Sequence, residues 1–223
     1  MILEFEIFKP YADRLVQGFT TKAMGSLSGD DPNYNQQLEG LEKTIGVRPA
    51  FALQIHSDSI LHIQDVPSER PQGDGFLTNQ KNLAIGVKVA DCAGILLFDP
   101  VQNAIAAVHS GWRGGTQNIV GKAVQKMVET FGSNPPNILA AISPSIGPCC
   151  LKFSDPEKEL PKSIHPFVTK CYMDIWALTA SQLVEAGIKN IELKAECTKC
   201  NQDRYFSHRN KETGRMAVFI GLK

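Results

Sequence analysis

The chain has no excess of either charge, because its 223 residues contain 23 Lys and Arg and 23 Asp and Glu. It also has no long basic run. Nothing in this composition favours nucleic acid or an anionic membrane surface as a partner, since both attract a strongly basic face. We therefore expect a small-molecule ligand.

Long apolar runs are missing as well, and none approaches the roughly 20 residues of a membrane-spanning helix. Glu4, Glu6 and Lys9 interrupt the apolar residues of the N-terminal stretch, which therefore does not resemble a signal peptide. These features predict a cytoplasmic protein, a compartment in which thiols stay reduced. We expect free thiols or metal ligands, not disulfides, at the six cysteines: Cys92, Cys149, Cys150, Cys171, Cys197 and Cys200.

The sequence also contains no repeat, no low-complexity tract and no linker, so one domain over residues 1–223 is expected. Short apolar runs predict strands at 1–8, 82–90, 94–98, 103–109, 138–142, 190–196 and 215–222, with two more around a polar turn at 56–58. Periodicity predicts helices at 37–47, 116–131 and 170–187, and a loop at 18–36. The irregular spacing favours an α/β (α+β) fold with mixed sheets flanked by helices.

Cys92 and His109 are candidate functional residues, and they lie at the ends of two neighbouring apolar runs. The turn sequence DPVQN separates the runs and predicts a hairpin in which Phe98 lies opposite Asn103 or Ala104. Residue 92 then faces residue 109 or 110. A Cys beside a His suits either an activated thiolate with the imidazole as its base, or a soft metal site.

A metal site needs a third ligand, and His56 also follows an apolar stretch and enters a polar turn. We call His56, Cys92 and His109 the trio. Two imidazoles, one thiolate and a vacant position suit zinc, which lowers the pKa of bound water to about 7. A structural role for each histidine, and the metal-free pair of nucleophile and base, remain alternatives.

After His109 the sequence SGWRGGT leads into the predicted helix at 116–131. Backbone N–H groups at a helix N-terminus favour an anion, and Arg113 can add a bidentate contact. Trp112 can stack on a planar base, although packing is the commoner role of such an aromatic. His208, Arg209 and Arg215 can also bind an anion, but a solvated loop is the simpler interpretation.

The remaining cysteines give a weaker indication. Cys197 and Cys200 form a CTKC motif, which is half of a zinc ribbon and needs a second pair. Cys149 and Cys150 are adjacent, and neighbouring side chains seldom reach one metal together. We therefore do not expect a structural zinc at these four cysteines.

Six segments of the chain resemble the laccase-domain family in order and spacing: QIHSD, DGFLT, ADCAGILLFDP, AAVHSGWRGG, SIGPCC and YFSHR followed by TGRMAVFI. The resemblance extends from about Gly18 to the C-terminus. It implies a mixed α/β fold and a metal bound by His56, Cys92 and His109. Members of the family are described as zinc-dependent purine nucleoside enzymes, and the family has also been labelled polyphenol oxidase.

The resemblance implies phosphorolysis of adenosine, inosine, guanosine and methylthioadenosine, with adenosine deamination as a companion activity. Arg113, Asp74 and Lys22 are the residues that we assign to substrate binding. Lys22 stands where the family motif has Arg, and Gln17 where it has His. Lys keeps the charge but lacks the planar bidentate geometry of Arg. Asp74 can also be no more than a turn-forming Asp–Gly residue.

Two other activities remain open. A copper-dependent polyphenol oxidase would use the same His2Cys set, although a multicopper centre consumes more histidines than the five present. A hydrolase would use Cys92 as nucleophile and His109 as base without metal. A third alternative is a nucleotide-binding protein without catalysis. Neither the oligomeric state nor the preferred purine follows from the sequence.

Overall fold

The computed structural model describes residues 1–223. Its strands, β1 to β13 in chain order, are Ile2–Leu3, Leu15–Thr20, Pro49–Phe51, Ile60–His62, Gly75–Thr78, Leu83–Val89, Ala93–Asp99, Ala104–Ser110, Leu139–Ile142, Val168–Thr169, Tyr172–Met173, Asn190–Leu193 and Met216–Leu222. Its α-helices, α1 to α5, are Tyr34–Ile45, Trp112–Thr116, Ile119–Phe131, Pro156–Glu159 and Ile175–Glu185. No helix is long and apolar enough to cross a membrane.

The strands form two large mixed sheets and one small hairpin. A five-stranded sheet has the order β1-β2-β13-β6-β3, and a six-stranded sheet has the order β12-β9-β7-β8-β5-β4. Each large sheet contains both antiparallel and parallel strand pairs. The parallel pair of the five-stranded sheet is β3 with β6. The parallel pairs of the six-stranded sheet are β9 with β12 and β4 with β5. The predicted fold class, mixed sheets flanked by helices, is confirmed.

The two sheets pack face to face and helices cover their outer faces. Alternation along β7 shows the arrangement, because Leu96 and Phe98 enter the core between the sheets while Ile95 and Leu97 pack with α3. In β13, Val218 likewise faces the other sheet and Phe219 faces α1. Both faces of these central strands are buried, which explains why their sequences are continuous apolar runs.

Most predicted elements are present, with several corrections. The strand expected over residues 1–8 stops at Leu3, and a 3-10 helix occupies Glu6–Tyr11. The helix expected at 116–131 begins only at Ile119, because Asn118 adopts a left-handed conformation that separates it from the short helix α2 before it. The helix expected at 170–187 begins only at Ile175, where the Asp174 side chain accepts a hydrogen bond from the Ala177 N–H.

The hairpin of β7 and β8 is present, but its predicted register is wrong. Asp99 pairs with Ala104 and Phe98 pairs with Ile105, so four residues form the connection. The Asp99 carboxylate accepts the N–H groups of Val101 and Gln102 and stabilises this longer turn. The shift places Cys92 just before β7, in line with Gly111 and not directly opposite His109.

Candidate functional site

The trio meets at one end of the six-stranded sheet. His109 is near the end of β8 and pairs with Gly94 of β7. Cys92 lies two residues before Gly94, so it is the diagonal neighbour of His109 on the same face of the sheet. His56 is in the turn that precedes β4. The corrected register therefore still brings Cys92 and His109 together.

The three side chains offer ligand atoms at one point. One ring nitrogen of each histidine and Cys92 Sγ all lie within 4.8 Å of one another. The two imidazole rings are nearly perpendicular, with centroids 4.9 Å apart. His109 is buried, Cys92 is half-buried and His56 is exposed, so the cluster is open to solvent on the side of His56.

Asp74 holds both histidines in place. It lies immediately before β5, is fully buried, and accepts a hydrogen bond from His109 Nδ1 at 2.8 Å. Its carboxylate also accepts the backbone N–H groups of Ile55, His56 and Ser57. With Nδ1 committed to Asp74, only Nε2 of His109 is free to bind a metal.

The carboxyl of Asp74 is ionised over the whole physiological range. Burial by itself would raise its pKa, but the hydrogen bonds from His109 and Ser57 lower the pKa to about 2. The same contacts stabilise the backbone of His56, which has a φ of 58°. That left-handed conformation costs a residue with a side chain about 1 kcal/mol or more.

Cys92 and His109 favour each other's charged forms. Burial opposes the thiolate, but the charge and the hydrogen bond of His109 lower the pKa of the Cys92 thiol. Burial also opposes the imidazolium, but the Cys92 thiolate and Asp74 raise the pKa of His109. The site therefore stabilises a thiolate, which is the form of cysteine that binds metals and acts as a nucleophile.

This donor set fits a transition metal. Two imidazoles and one thiolate suit zinc or copper, and the open side leaves a position for a further ligand. Gly111 is part of the fit, since a Cβ at this position would lie 2.8 Å from Cys92 Sγ. Any larger residue at position 111 would displace the sulfur from its present position.

The trio forms one wall of a cleft with a cavity volume of about 850 Å³. Five cationic side chains line the same cleft, against two carboxylates, Asp30 and Asp91. None of the five has a carboxylate within 4.0 Å, since none occurs among the ion pairs of the structure. These cations are Arg70, Lys88, Arg113, Arg209 and Arg215. The cleft is thus a site for an anion in a chain with no net charge.

Of the three residues assigned to substrate binding, only Arg113 lines the cleft in the structure. Arg113 lines the cleft and stacks on Trp112, with its guanidinium carbon 4.3 Å from the ring centroid. Asp74 lies behind His109 and does not line the cleft. Lys22 is also outside it, because its amine pairs with Glu212 and the carbonyl of Gln202. The five-residue α2 contains Arg113, so the glycine-rich turn expected before a long helix is itself helical.

Arg70 and Lys88 are the cationic residues that the sequence analysis missed. They come from a loop and from β6, far apart in the chain, and no local pattern distinguishes them from surface cations. Arg209 and Arg215, with His208, line the cleft and are not simply a solvated loop. Gln17 is buried and exchanges two hydrogen bonds with the backbone of Phe5.

Cys149 and Cys150 were expected to reach one point together only rarely because they are adjacent, but the structure brings both sulfurs to the same place. The sulfurs of Cys149, Cys150, Cys197 and Cys200 all lie within 4.8 Å of one another. We call these four residues the cysteine cluster. It is separate from the trio and does not line the cleft.

These features define a four-layer α/β protein with a His2Cys donor set on the wall of a cationic cleft. The chain belongs to the family described as multi-copper polyphenol oxidoreductase laccase, whose model matches residues 16–223.

Two similar proteins carry a different name from the family. A purine nucleoside phosphorylase of Clostridium acetobutylicum is 33% identical over 195 residues, which cover 83% of this chain and 82% of that protein. The purine nucleoside phosphorylase YfiH of Escherichia coli is 27% identical over 211 residues, which cover 89% of this chain and 85% of that protein.

The solved structures agree with this assignment. The crystal structure of YlmD from Geobacillus stearothermophilus matches with a TM-score of 0.86 and 27% identity. The match covers 100% of this chain and 96% of that one. The whole arrangement of sheets and helices is therefore shared with that protein.

Proposed function

We propose that the protein is a zinc-dependent purine nucleoside phosphorylase. It would convert adenosine, inosine, guanosine or methylthioadenosine and phosphate to the free base and the sugar 1-phosphate. The observation that carries the proposal is the presence of the trio and the unpaired cations in one cleft. The names of the relatives from Clostridium acetobutylicum and Escherichia coli support it.

Arg70, Lys88 and Arg215 are the residues to which we assign phosphate. A Cβ built at Gly29 would lie 3.2 Å from Arg70 Nη1 and 3.8 Å from Lys88 Nζ, so both charges border the same small space. The charge of Arg215 lowers the pKa of Lys88. The Arg215 guanidinium donates hydrogen bonds to three consecutive backbone carbonyls, from Glu212 to Gly214. The carbonyls fix its guanidinium without neutralising it.

Zinc would be bound by His56, Cys92 and His109, and Asp74 orients the last of these. When bound, the ion supplies a Lewis acid that polarises or orients an oxygen of a substrate. The cations would hold the anionic phosphate beside the sugar carbon C1′, which becomes electron-poor as its bond to the purine breaks and its bond to a phosphate oxygen forms. Cationic contacts of this kind contribute most when they form in a site with little water.

The base and sugar would occupy the less polar part of the cleft. Ile146, Leu151 and Ile175 line this part, together with Trp112. The Trp112 ring packs edge-on against Phe153, with centroids 5.8 Å apart, which fixes its orientation. A planar purine suits an apolar wall with a fixed aromatic ring.

Adenosine deamination is a companion activity that the family resemblance predicts, and we include it in the proposal. The family description favours a copper-dependent oxidase as the second candidate. The charge-stabilised Cys92 and His109 pair favours a metal-free hydrolase as the third. The three candidates predict different requirements for phosphate and for metal.

The test incubates inosine with zinc-loaded protein, with and without phosphate, and measures hypoxanthine and ribose 1-phosphate. We expect both products in equal amounts and only when phosphate is present. Hypoxanthine without phosphate dependence would indicate a hydrolase, and no hypoxanthine would contradict the proposal. Oxidation of a phenol only by copper-loaded protein would support the oxidase. Inosine formed from adenosine measures the deaminase separately.

A further inference from the structure

The cysteine cluster is formed by the two loops that follow the carboxyl ends of β9 and β12 in the six-stranded sheet. Strands β9 and β12 are parallel neighbours, and Ile142 pairs with Leu193 at their carboxyl ends. The pairing continues into the loops through a bridge between Ser145 and Cys197. The loops after both strands are therefore held side by side, with two cysteines in each.

Each loop then turns so that its cysteines face the other loop. The N–H of Cys150 donates to the carbonyl of Gly147 at 2.9 Å and closes the turn that contains Cys149 and Cys150. The N–H of Asn201 donates to the carbonyl of Cys197 at 3.1 Å and closes the CTKC turn. These turns explain how two adjacent cysteines reach one point.

The sulfur separations match a tetrahedral metal site. Cys200 Sγ lies 3.7 Å from Cys149 Sγ and 3.5 Å from Cys150 Sγ. Four thiolates around zinc, with bonds of about 2.3 Å, lie about 3.8 Å from one another. A disulfide would instead need about 2.0 Å between two sulfurs. All six cysteines of the structure are free thiols.

The surroundings of the sulfurs favour a ligand set over ordinary packing. Cys197 is buried in an apolar cluster and Cys150 packs against it, but Cys149 and Cys200 are exposed, so burial of apolar surface does not explain why these two sulfurs lie beside the others. Gly147 is closely enclosed, since a Cβ there would lie 2.9 Å from the Trp176 ring.

We propose that the cysteine cluster binds a structural zinc ion with Cys149, Cys150, Cys197 and Cys200 as its four ligands. Four thiolates fill a tetrahedral zinc site, so no position remains for a substrate. Binding releases the thiol protons to solvent and requires no oxidant or reductant. This site is additional to the trio and does not depend on the proposed function.

The zinc would stabilise the segment that carries Cys92. Asp91 accepts a hydrogen bond from Thr198 Oγ1 at 2.7 Å, and its carbonyl accepts the Ile146 N–H at 2.8 Å. Both partners are in the loops of the cysteine cluster. Asp91 has a φ of 84°, so these contacts hold a strained residue directly before Cys92.

The test measures zinc per chain by elemental analysis and native mass spectrometry after purification without added metal. We expect two zinc ions in the wild type and one in the double variant His56→Ala/His109→Ala, which lacks the trio. Substituting cobalt in that variant should give thiolate-to-cobalt charge-transfer absorption. Cys171→Ser, outside both clusters, is the control and should retain two ions.

Cys200→Ser in the trio-free background should abolish the remaining zinc, and Cys200→His should retain it because imidazole is also a zinc ligand. A trio-free variant that is folded, reduced and free of metal would overturn the proposal. So would a mass two or four hydrogens lower than expected, which would identify disulfides. These outcomes do not depend on whether inosine is cleaved.

Discussion

Asp74 is the residue on which the geometry of the trio depends most. A single buried carboxylate fixes the ring of His109 and the backbone turn of His56. Ser57 Oγ adds a further hydrogen bond to the same carboxylate at 2.8 Å. Asp74 is a positioning residue, because it touches the ligands and not the cleft.

Asp74→Asn should therefore weaken both the site and the fold. An amide keeps the shape of the side chain but loses the charge and places an N–H donor against the backbone N–H groups. We therefore expect the free energy of unfolding to fall by about 3 kcal/mol. Zinc affinity should fall about 10- to 100-fold. Urea unfolding and a zinc titration measure the two effects. Asp65→Asn, at an exposed position, is the control, and equal behaviour of the two variants would refute this role.

Lys88 gives the cleft a predicted pH dependence. Burial, together with the charges of Arg70 and Arg215 and against that of Asp30, lowers the pKa of Lys88 to about 8. Its amine also lies over the neutral rings of Tyr34 and Phe51. Lys88 is therefore charged below pH 8 and loses its charge above it.

The KM for phosphate should consequently rise about tenfold between pH 7 and pH 9, since the attraction is lost as Lys88 deprotonates. Lys88→Arg stays charged and should flatten the profile, whereas Lys88→Met should have a high KM at both pH values. Steady-state kinetics with varied phosphate provide the measurement. A wild-type profile identical to that of Lys88→Arg would show that Lys88 does not bind phosphate.

At the scale of elements, the site is formed at one end of the six-stranded sheet, where β7 and β5 begin and β8 ends. Cys92 precedes β7, His109 is the next-to-last residue of β8 and Asp74 precedes β5, so the sheet register sets their mutual distances. The short helix α2 begins directly after Gly111. The close approach of this glycine to Cys92 couples the start of α2 to the position of the sulfur.

Gly111→Ala tests this coupling. The added methyl would meet Cys92 Sγ at 2.8 Å, so we expect loss of zinc from the trio and loss of activity with about 1–3 kcal/mol of destabilisation. Gly40→Ala is the control, because a Cβ at that position in α1 meets nothing within 4 Å. It should bind zinc normally and be slightly more stable. Normal zinc content in Gly111→Ala would contradict the role of Gly111.

Local patterns in the sequence predict much of this arrangement, and the failures have physical causes. Apolar runs predict β6, β7, β8 and β13 because these strands are buried on both faces. The register of the β7–β8 hairpin was missed because Asp99 stabilises a longer turn than DPVQN alone indicates. The proximity of the four cysteines was not expected because Cys149 and Cys150 are adjacent in the chain. The parallel pairing of β9 and β12 and the turn at Gly147 nevertheless bring both sulfurs beside Cys197 and Cys200.

At the scale of the whole molecule, the charges are balanced in number but not in space. Five unpaired cations face one cleft of a chain with equal numbers of acidic and basic residues. Lys88 in β6 and Arg215 directly before β13 come from the five-stranded sheet, whereas the trio and Arg70, in the loop between β4 and β5, come from the six-stranded sheet. The cleft thus lies where the ends of the two sheets meet.

Added salt should therefore weaken phosphate binding more than nucleoside binding. Screening acts on the attraction between the cations and phosphate, so we expect the KM for phosphate to rise about three- to tenfold between low and high salt. The KM for the uncharged inosine should change less than twofold. Kinetics in sodium chloride measure both constants, and an equal rise in both would argue against an electrostatic phosphate site.

The central claim is that a divalent ion at His56, Cys92 and His109 is required for phosphorolysis. The most direct measurement titrates metal-free protein with zinc while hypoxanthine release from inosine and phosphate is followed. We predict that metal-free protein releases no hypoxanthine and that the rate of release rises in proportion to the zinc bound at the trio. Cys92→Ala should neither bind zinc at the trio nor release hypoxanthine. Full phosphate-dependent release by metal-free protein, or by Cys92→Ala, would contradict the claim.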